Sequence, residues 1–143
     1  MFERKAKGTR QNAAVLMSGD PELLALQEQN GFADAVVAGD DVILSGVVTE
    51  MKDGDAGMEA AYTRTFQAIA QTLERAGASW DDVIEISSFH TDVASQIPAY
   101  VAAKKRFVQL PHPAWTAVGT TGLVGGSGVT ETRVRAKLAT AAG

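Results

Sequence analysis

The chain has 143 residues, 45% hydrophobic and 21% charged, the balance of one soluble globular domain that buries its core without disulfides or a structural metal. Thirteen Lys and Arg against seventeen Asp and Glu give a net charge of −4 and a pI near 5.1, and no basic run exceeds Lys104-Lys105-Arg106, which argues against nucleic acid as the main partner. Cysteine is absent, so thiol nucleophiles and Cys-ligated zinc are excluded and only His90 and His112 remain as imidazole donors.

Residues Met1 to Asn12 are polar, charged and without a period, and no element is expected there. The apolar stretch Ala13 to Met17 is shorter than a signal-peptide core and no stretch approaches bilayer length, so the expected location is cytoplasmic, with no membrane partner. Asp20 caps a short helix that runs from Pro21, fit for a first turn, to about Asn30, with Leu23, Leu24 and Leu26 as its apolar side and Gly31 as its stop. Ala35 to Ala38 and Val42 to Val48, separated by Gly39-Asp40-Asp41, read as a strand hairpin. A loop from Thr49 to Gly57 leads to a long helix ending near Ala76, whose stripe is Met58, Tyr62, Phe66, Ile69 and Leu73.

Trp80 reads as a buried cap on that helix. Val83 to Asp92 reads as a third strand with Ile84, Ile86, Ser88, His90 and Asp92 on one face. A second long helix spans about Ser95 to Gln109, with Ile97, Tyr100, Val101, Lys104, Phe107 and Val108 along one side, Pro98 in its first turn and Pro111-His112-Pro113 at its end. Trp115 to Gly122 and Val129 to Leu138 are the last strands, with Ala139 to Gly143 frayed. This order makes an α+β fold, one mixed β-sheet with two long helices packed on one face. The other face mixes apolar residues with Thr, Ser and Glu, which suggests solvent or a partner subunit, and a closed homo-oligomer is the favoured expectation.

Ser45-Gly46 at the end of the second strand, Ala76-Gly77 before Asp81-Asp82-Val83, Ser88-Phe89-His90-Thr91-Asp92, and Trp115-Thr116-Ala117-Val118-Gly119 together resemble the RidA-like (YjgF-type) family, and within it the YjgH-type subgroup. The resemblance covers about residues 31–138 and leaves residues 1–30 as an N-terminal extension with a short helix. It implies a chorismate-mutase-like fold, homotrimers with three ligand clefts between subunits, and kinship with enzymes that hydrolyse enamines and imines to ketones and ammonia. The arginine that clamps the substrate carboxylate in those enzymes is matched by Trp115, and an indole cannot form a bidentate ion pair. Their tyrosine before the first strand is matched by Phe32, and their cysteine by Ala117. Ser45 and Gly46 are retained, and Glu131 matches the acidic residue. The resemblance therefore implies an apolar pocket in which Phe32, Ser45, Gly46, Trp115 and Ala117 bind substrate and Glu131 moves protons, with imino acids poor substrates and no cofactor.

Read without the resemblance, these residues have plainer roles. Glu131 alternates with Thr130 and Thr132 and shares its face with Arg133, Arg135 and Lys137, so it is either part of a solvated charged face, neutralised by Arg133, or an acid/base group whose pKa partial burial raises. His90 is either an acid/base imidazole oriented by Asp92 or hydrogen-bonded scaffold. Trp115 is a core or interface anchor or a pocket wall. His112, between two prolines, reads as a turn residue, and no metal-ligand spacing is present. The glycines from Gly119 to Gly128 surround a strand-to-strand loop and read as flexibility, not as a phosphate cradle. Three functions stay open: a hydrolase adding water to C=N bonds of a small molecule without the usual carboxylate, a non-catalytic trimer that binds a metabolite or partner, and a ring-opening or cyclising enzyme. RNA cleavage fits the acidic pI poorly.

Overall fold

A computed structural model describes residues 9–139; the expectations for residues 1–8 and 140–143 lie outside them. In chain order the elements are β1 (Ala14–Leu16), α1 (Pro21–Asn30), β2 (Ala35–Ala38), β3 (Asp41–Leu44), β4 (Val47–Thr49), α2 (Met58–Arg75), β5 (Val83–His90), α3 (Val93–Phe107), β6 (Ala114–Gly119) and β7 (Thr130–Lys137), with short 3-10 turns at Thr9–Asn12 and Trp80–Asp82. The strands form a single mixed sheet in the order β1-β2-β3-β7-β5-β6, and β4 also pairs with β7. Only β5 and β6 run parallel, because the crossover between them carries α3.

Both long helices cover one sheet face, as the hydrophobic periods require. Tyr62, Phe66, Ile69 and Leu73 from α2 and Tyr100 and Ala103 from α3 are wholly buried against Val42, Leu44, Ile86, Val134 and Ala136 of the sheet. Each large side chain so buried contributes about 1.5–3 kcal/mol. Phe66 packs on Trp80 and Phe107 at centroid distances of 5.2 and 5.7 Å, and the Trp80 indole N–H donates to the Phe66 carbonyl at 3.3 Å. Trp80 is thus buried against α2.

The structure departs from the sequence expectations in several places, among them a 3-10 turn at Thr9–Asn12 where no element is expected and a β6 that ends at Gly119 rather than Gly122. Ala14–Leu16, read only as a short apolar stretch, is strand β1, paired antiparallel with β2; three residues carry too little period to announce a strand. The expected strand Val42 to Val48 is broken. Ile43 opposes Arg135 and Val47 opposes Thr132, so Leu44, Ser45 and Gly46 stand across from only Val134 and Arg133, which is a β-bulge. A second register shift between Val83 and Glu85 changes the phase of β5. Ile84 is therefore 45% exposed rather than sharing the face of Ile86.

Helix α1 begins and ends as expected, with Asp20 accepting from the Leu23 N–H and Gly31 left-handed at φ 76°. Its apolar side does not become core, however. Leu23 and Leu26 stay exposed and Gln27 is buried, because polar bonds rather than a leucine stripe hold this helix down. Helix α3 starts at Val93, so Pro98 is its sixth residue and not in the first turn. The missing N–H removes one helical bond, at a residue that is exposed.

The uncovered sheet face is ordered in rows set by the strand register. One row is Val36, Ile43, Arg135 and Glu85. Another is Val48, Glu131, Phe89 and Val118. Among the described residues no helix is long and apolar enough to cross a membrane.

Candidate functional site

The bulge after β3 builds the site. Its Ser45 is tied to the preceding segment twice, through its N–H to the Asp34 carbonyl at 3.0 Å and through its hydroxyl to the Ala33 carbonyl at 2.6 Å. With its only hydrogen committed, Ser45 Oγ can offer nothing but lone pairs to a ligand. Gly46 follows, and the Glu131 side chain lies directly over it: a Cβ at position 46 would overlap the carboxylate and come within 2.7 Å of Glu131 Cδ. Any larger residue here would push the carboxylate from this seat. The Gly46 N–H belongs to neither flanking strand and has no backbone acceptor among the described residues.

Around this contact is a cleft of about 510 Å³ lined by Leu26, Asn30, Phe32, Ser45, Gly46, Val48, Val124 and Glu131. Glu131 is the one ionisable group in that lining. It is half-buried and forms no ion pair among the described residues, so the expected neutralisation by Arg133 is not made. The cations further along β7 are engaged elsewhere, Arg135 with Asp41 at 3.3 Å and Lys137 with Asp40 and Asp41 at 3.3 and 3.1 Å. A carboxylate with apolar neighbours, no counter-ion and a free backbone N–H beside it can accept and return a proton.

The structure therefore brings together Phe32, Ser45, Gly46 and Glu131. The other three sequence candidates, His90, Trp115 and Ala117, lie on the helix-covered face. Trp115 and Ala117 on β6 oppose Ile86 and Ser88. The Trp115 ring stacks on Tyr100 at 5.8 Å, its N–H donates to Ser88 Oγ at 2.9 Å, and Lys104 Nζ stands 4.2 Å over it in a cation–π contact. Burial, then the Lys105 charge, lowers the Lys104 pKa.

His90 is fully buried and its partners are not Asp92, which is exposed at the start of α3. Thr130 donates its one hydroxyl hydrogen to Gln96 Oε1 at 3.2 Å, so it accepts from His90 Nδ1–H at 3.3 Å. Nε2 of the neutral ring then accepts from Ser88 Oγ at 2.8 Å, and Ser88 Oγ accepts in turn from Trp115. Gln96 in turn reaches Thr91 at 2.9 Å. Every group in this chain is satisfied by a neutral imidazole, and burial, opposed by the Gln96 carboxamide, keeps the His90 pKa below its ordinary value.

Four lining residues escaped the sequence reading: Leu26, Asn30, Val48 and Val124. A leucine and an asparagine four apart on a helix share a side, but nothing local says that this side meets the strand bulge. Val124 is 95% exposed, an isolated apolar residue on the glycine-rich loop that reaches the cleft mouth. His112 lines a separate cavity of about 500 Å³ with Trp80, Asp81 and Leu110. Among the described residues no group of three or more His, Asp or Glu is placed to hold a metal ion.

Comparison with known proteins agrees with this architecture. Residues 23–136 match the family model for Endoribonuclease L-PSP. The RutC family protein YjgH of Escherichia coli (strain K12) is 33% identical over 118 residues, which is 80% of this chain and 88% of that protein. A solved structure of protein YJGH superposes with a TM-score of 0.71 at 31% identity, covering 87% of this chain and 95% of that one. Rv2704 of Mycobacterium tuberculosis, a member of the YjgF/YER057c/UK114 family, superposes with a TM-score of 0.75 at 21% identity, covering 88% and 99%, a likeness of fold. With its three helices on a mixed sheet and its match over most of its length, the chain belongs to the Endoribonuclease L-PSP family, the RidA-like (YjgF-type) proteins.

Proposed function

We propose that the protein is a small-molecule hydrolase that adds water to a C=N bond, an imine or the imine tautomer of an enamine, in a substrate without a carboxylate. The observation that carries this reading is the unpaired Glu131 carboxylate, the single ionisable group of an apolar cleft, seated against Gly46. As the water oxygen bonds to the substrate carbon, Glu131 takes one water proton and returns it to nitrogen, giving a carbinolamine. Glu131 then takes the carbinolamine hydroxyl proton and passes it to nitrogen as the C–N bond breaks, so that a carbonyl compound and an amine or ammonia leave. Ser45 Oγ, limited to accepting, suits an imine N–H, and the Gly46 N–H suits oxygen as it develops charge. Phe32, Val48 and Val124 pack the apolar remainder. No basic residue lines the cleft, which disfavours a carboxylate there.

In this reading the cleft is completed in a homotrimer. The Val48, Glu131, Phe89 and Val118 row leaves apolar surface uncovered, and β6 is an edge strand with one side unpaired. Trp115 and Ala117 are then the wall that an identical neighbour supplies. Ammonia release from small ketimines generated in solution tests the chemistry: Glu131→Gln should lose it, and equal rates for the two proteins would remove Glu131 from the mechanism. Sedimentation velocity tests the assembly, and a stable monomer would sink the shared cleft.

A second reading, a trimer that binds a metabolite without turning it over, is favoured by the engagement of Trp115 with Tyr100, Ser88 and Lys104. Thermal stabilisation by a neutral ketone or imine with no product formed would select it. Net charge −4 and the acidic, apolar lining give RNA cleavage no electrostatic support.

A further inference from the structure

We propose that α1 sets the substrate class of the Glu131 cleft, selecting neutral molecules that carry a hydrogen-bond donor, a hydroxyl or amide N–H, at the end away from the reacting carbon. The proposal rests on the hydrolase reading for what happens at Glu131, but not for what binds. Leu26 and Asn30 are one helical turn apart on α1 and both line the cleft. Asn30 Nδ2 donates to the Leu26 carbonyl at 3.0 Å, which fixes the carboxamide and leaves Oδ1 with no partner among the described residues. This is an oriented acceptor on a wall whose other members, Leu26, Phe32, Val48 and Val124, are apolar. An anion there would meet the Oδ1 lone pairs and the Glu131 charge with no cation to offset them. A donor would be matched, and it would be matched at one distance.

That distance is fixed because α1 is held by directional bonds. Buried Gln27 accepts from the Ser18 N–H at 2.9 Å and donates to Asp34 Oδ1 at 2.7 Å. The second Asp34 oxygen pairs with Arg75 at 2.8 Å, and the same guanidinium donates to the Met17 carbonyl. Helix α1 is thus fastened to the end of α2 and to the segment that enters β2. A helix resting on apolar contacts alone can slide; one fastened through a buried amide to a carboxylate that is itself held by an arginine keeps its register.

The test uses the full chain, labelled with ¹⁵N, and two ketones as probes, 4-hydroxy-2-butanone and 2-butanone, with affinities read from amide shifts around Gly46 and Glu131. The hydroxyketone should bind about 2–10-fold tighter, the ratio that one net hydrogen bond supplies. Asn30→Ala should bring that ratio to one, and Leu26→Ala should weaken both ketones alike. The spectrum of each variant shows whether it is folded, and Asn30→Leu, which removes the acceptor at nearly the same side-chain shape, is the second route to the same collapse. No preference in the unsubstituted protein, or a preference that survives both Asn30 variants, overturns the proposal. Ammonia release without the preference sinks the selection alone; the preference without turnover, retained in Glu131→Gln, sinks the hydrolase reading alone.

Discussion

The two faces of the sheet use polar residues in opposite ways. Beneath the helices, Trp115, Ser88, His90, Thr130 and Gln96 form one chain of donors and acceptors, the Tyr62 and Tyr100 hydroxyls bond Thr130 and Thr132 at 2.6 and 2.9 Å, and among the described residues no buried side-chain nitrogen or oxygen lacks a partner. On the open face, among the described residues, Glu131 has no ion-pair partner and Asn30 Oδ1 at the cleft rim has no partner. The difference teaches that residue type does not say which polar group packing leaves free. The imidazole, the usual proton carrier, is consumed by packing. The glutamate, on a strand that looks like a solvated charged face, is left with capacity to spare.

Substitutions on each face should separate the two roles. The largest loss of stability is expected under the helices: Phe66→Ala should cost about 3–5 kcal/mol in a urea titration, because the ring is wholly buried between Trp80, Tyr100 and Phe107. Glu131→Gln should leave stability within about 0.5 kcal/mol and reduce imine hydrolysis about 10²–10⁴-fold; a large drop in melting temperature would make Glu131 structural and erase the contrast. Gly46→Ala should displace the carboxylate and lower turnover by about 10–100-fold, with the sheet intact by circular dichroism. Trp115→Phe removes one donor to Ser88 and should cost about 0.5–1.5 kcal/mol.

The smallest effect is a slope with pH. Because burial holds the His90 pKa down, the unfolded chain binds a proton more readily than the folded one. The stability that the neutral ring contributes is complete above the ordinary histidine value of about 6.5 and is lost as the pH falls below it. Denaturant midpoints between pH 7 and pH 5 should therefore decline, and His90→Gln should flatten the decline. A slope unchanged by that substitution would mean that the ring is not the group being protonated.

Much of the fold was legible in the sequence because it is written locally. Asp20-Pro21 and Gly31 bound α1 through their own backbone and capping preferences, the Tyr62, Phe66, Ile69 and Leu73 stripe marks α2 by its period, and the Thr130 to Lys137 alternation assigns the two faces of β7. Phe32, Ser45, Gly46 and Glu131 were found through the family resemblance, and the structure gathers all four around one cleft. What the tertiary structure alone decided depends on partners distant in the chain. The bulge at Leu44, Ser45 and Gly46 exists only in register against β7, and Ile84 turns outward only because β5 shifts on the same strand. Leu26 and Asn30 enter the cleft because Gln27, Asp34 and Arg75 dock α1 beside the bulge, and His90 is buried because α3 crosses over it. Periodicity and capping are short-range and each residue carries them alone; register, docking and hydrogen-bond satisfaction are relations between segments, and they come into being when the chain packs.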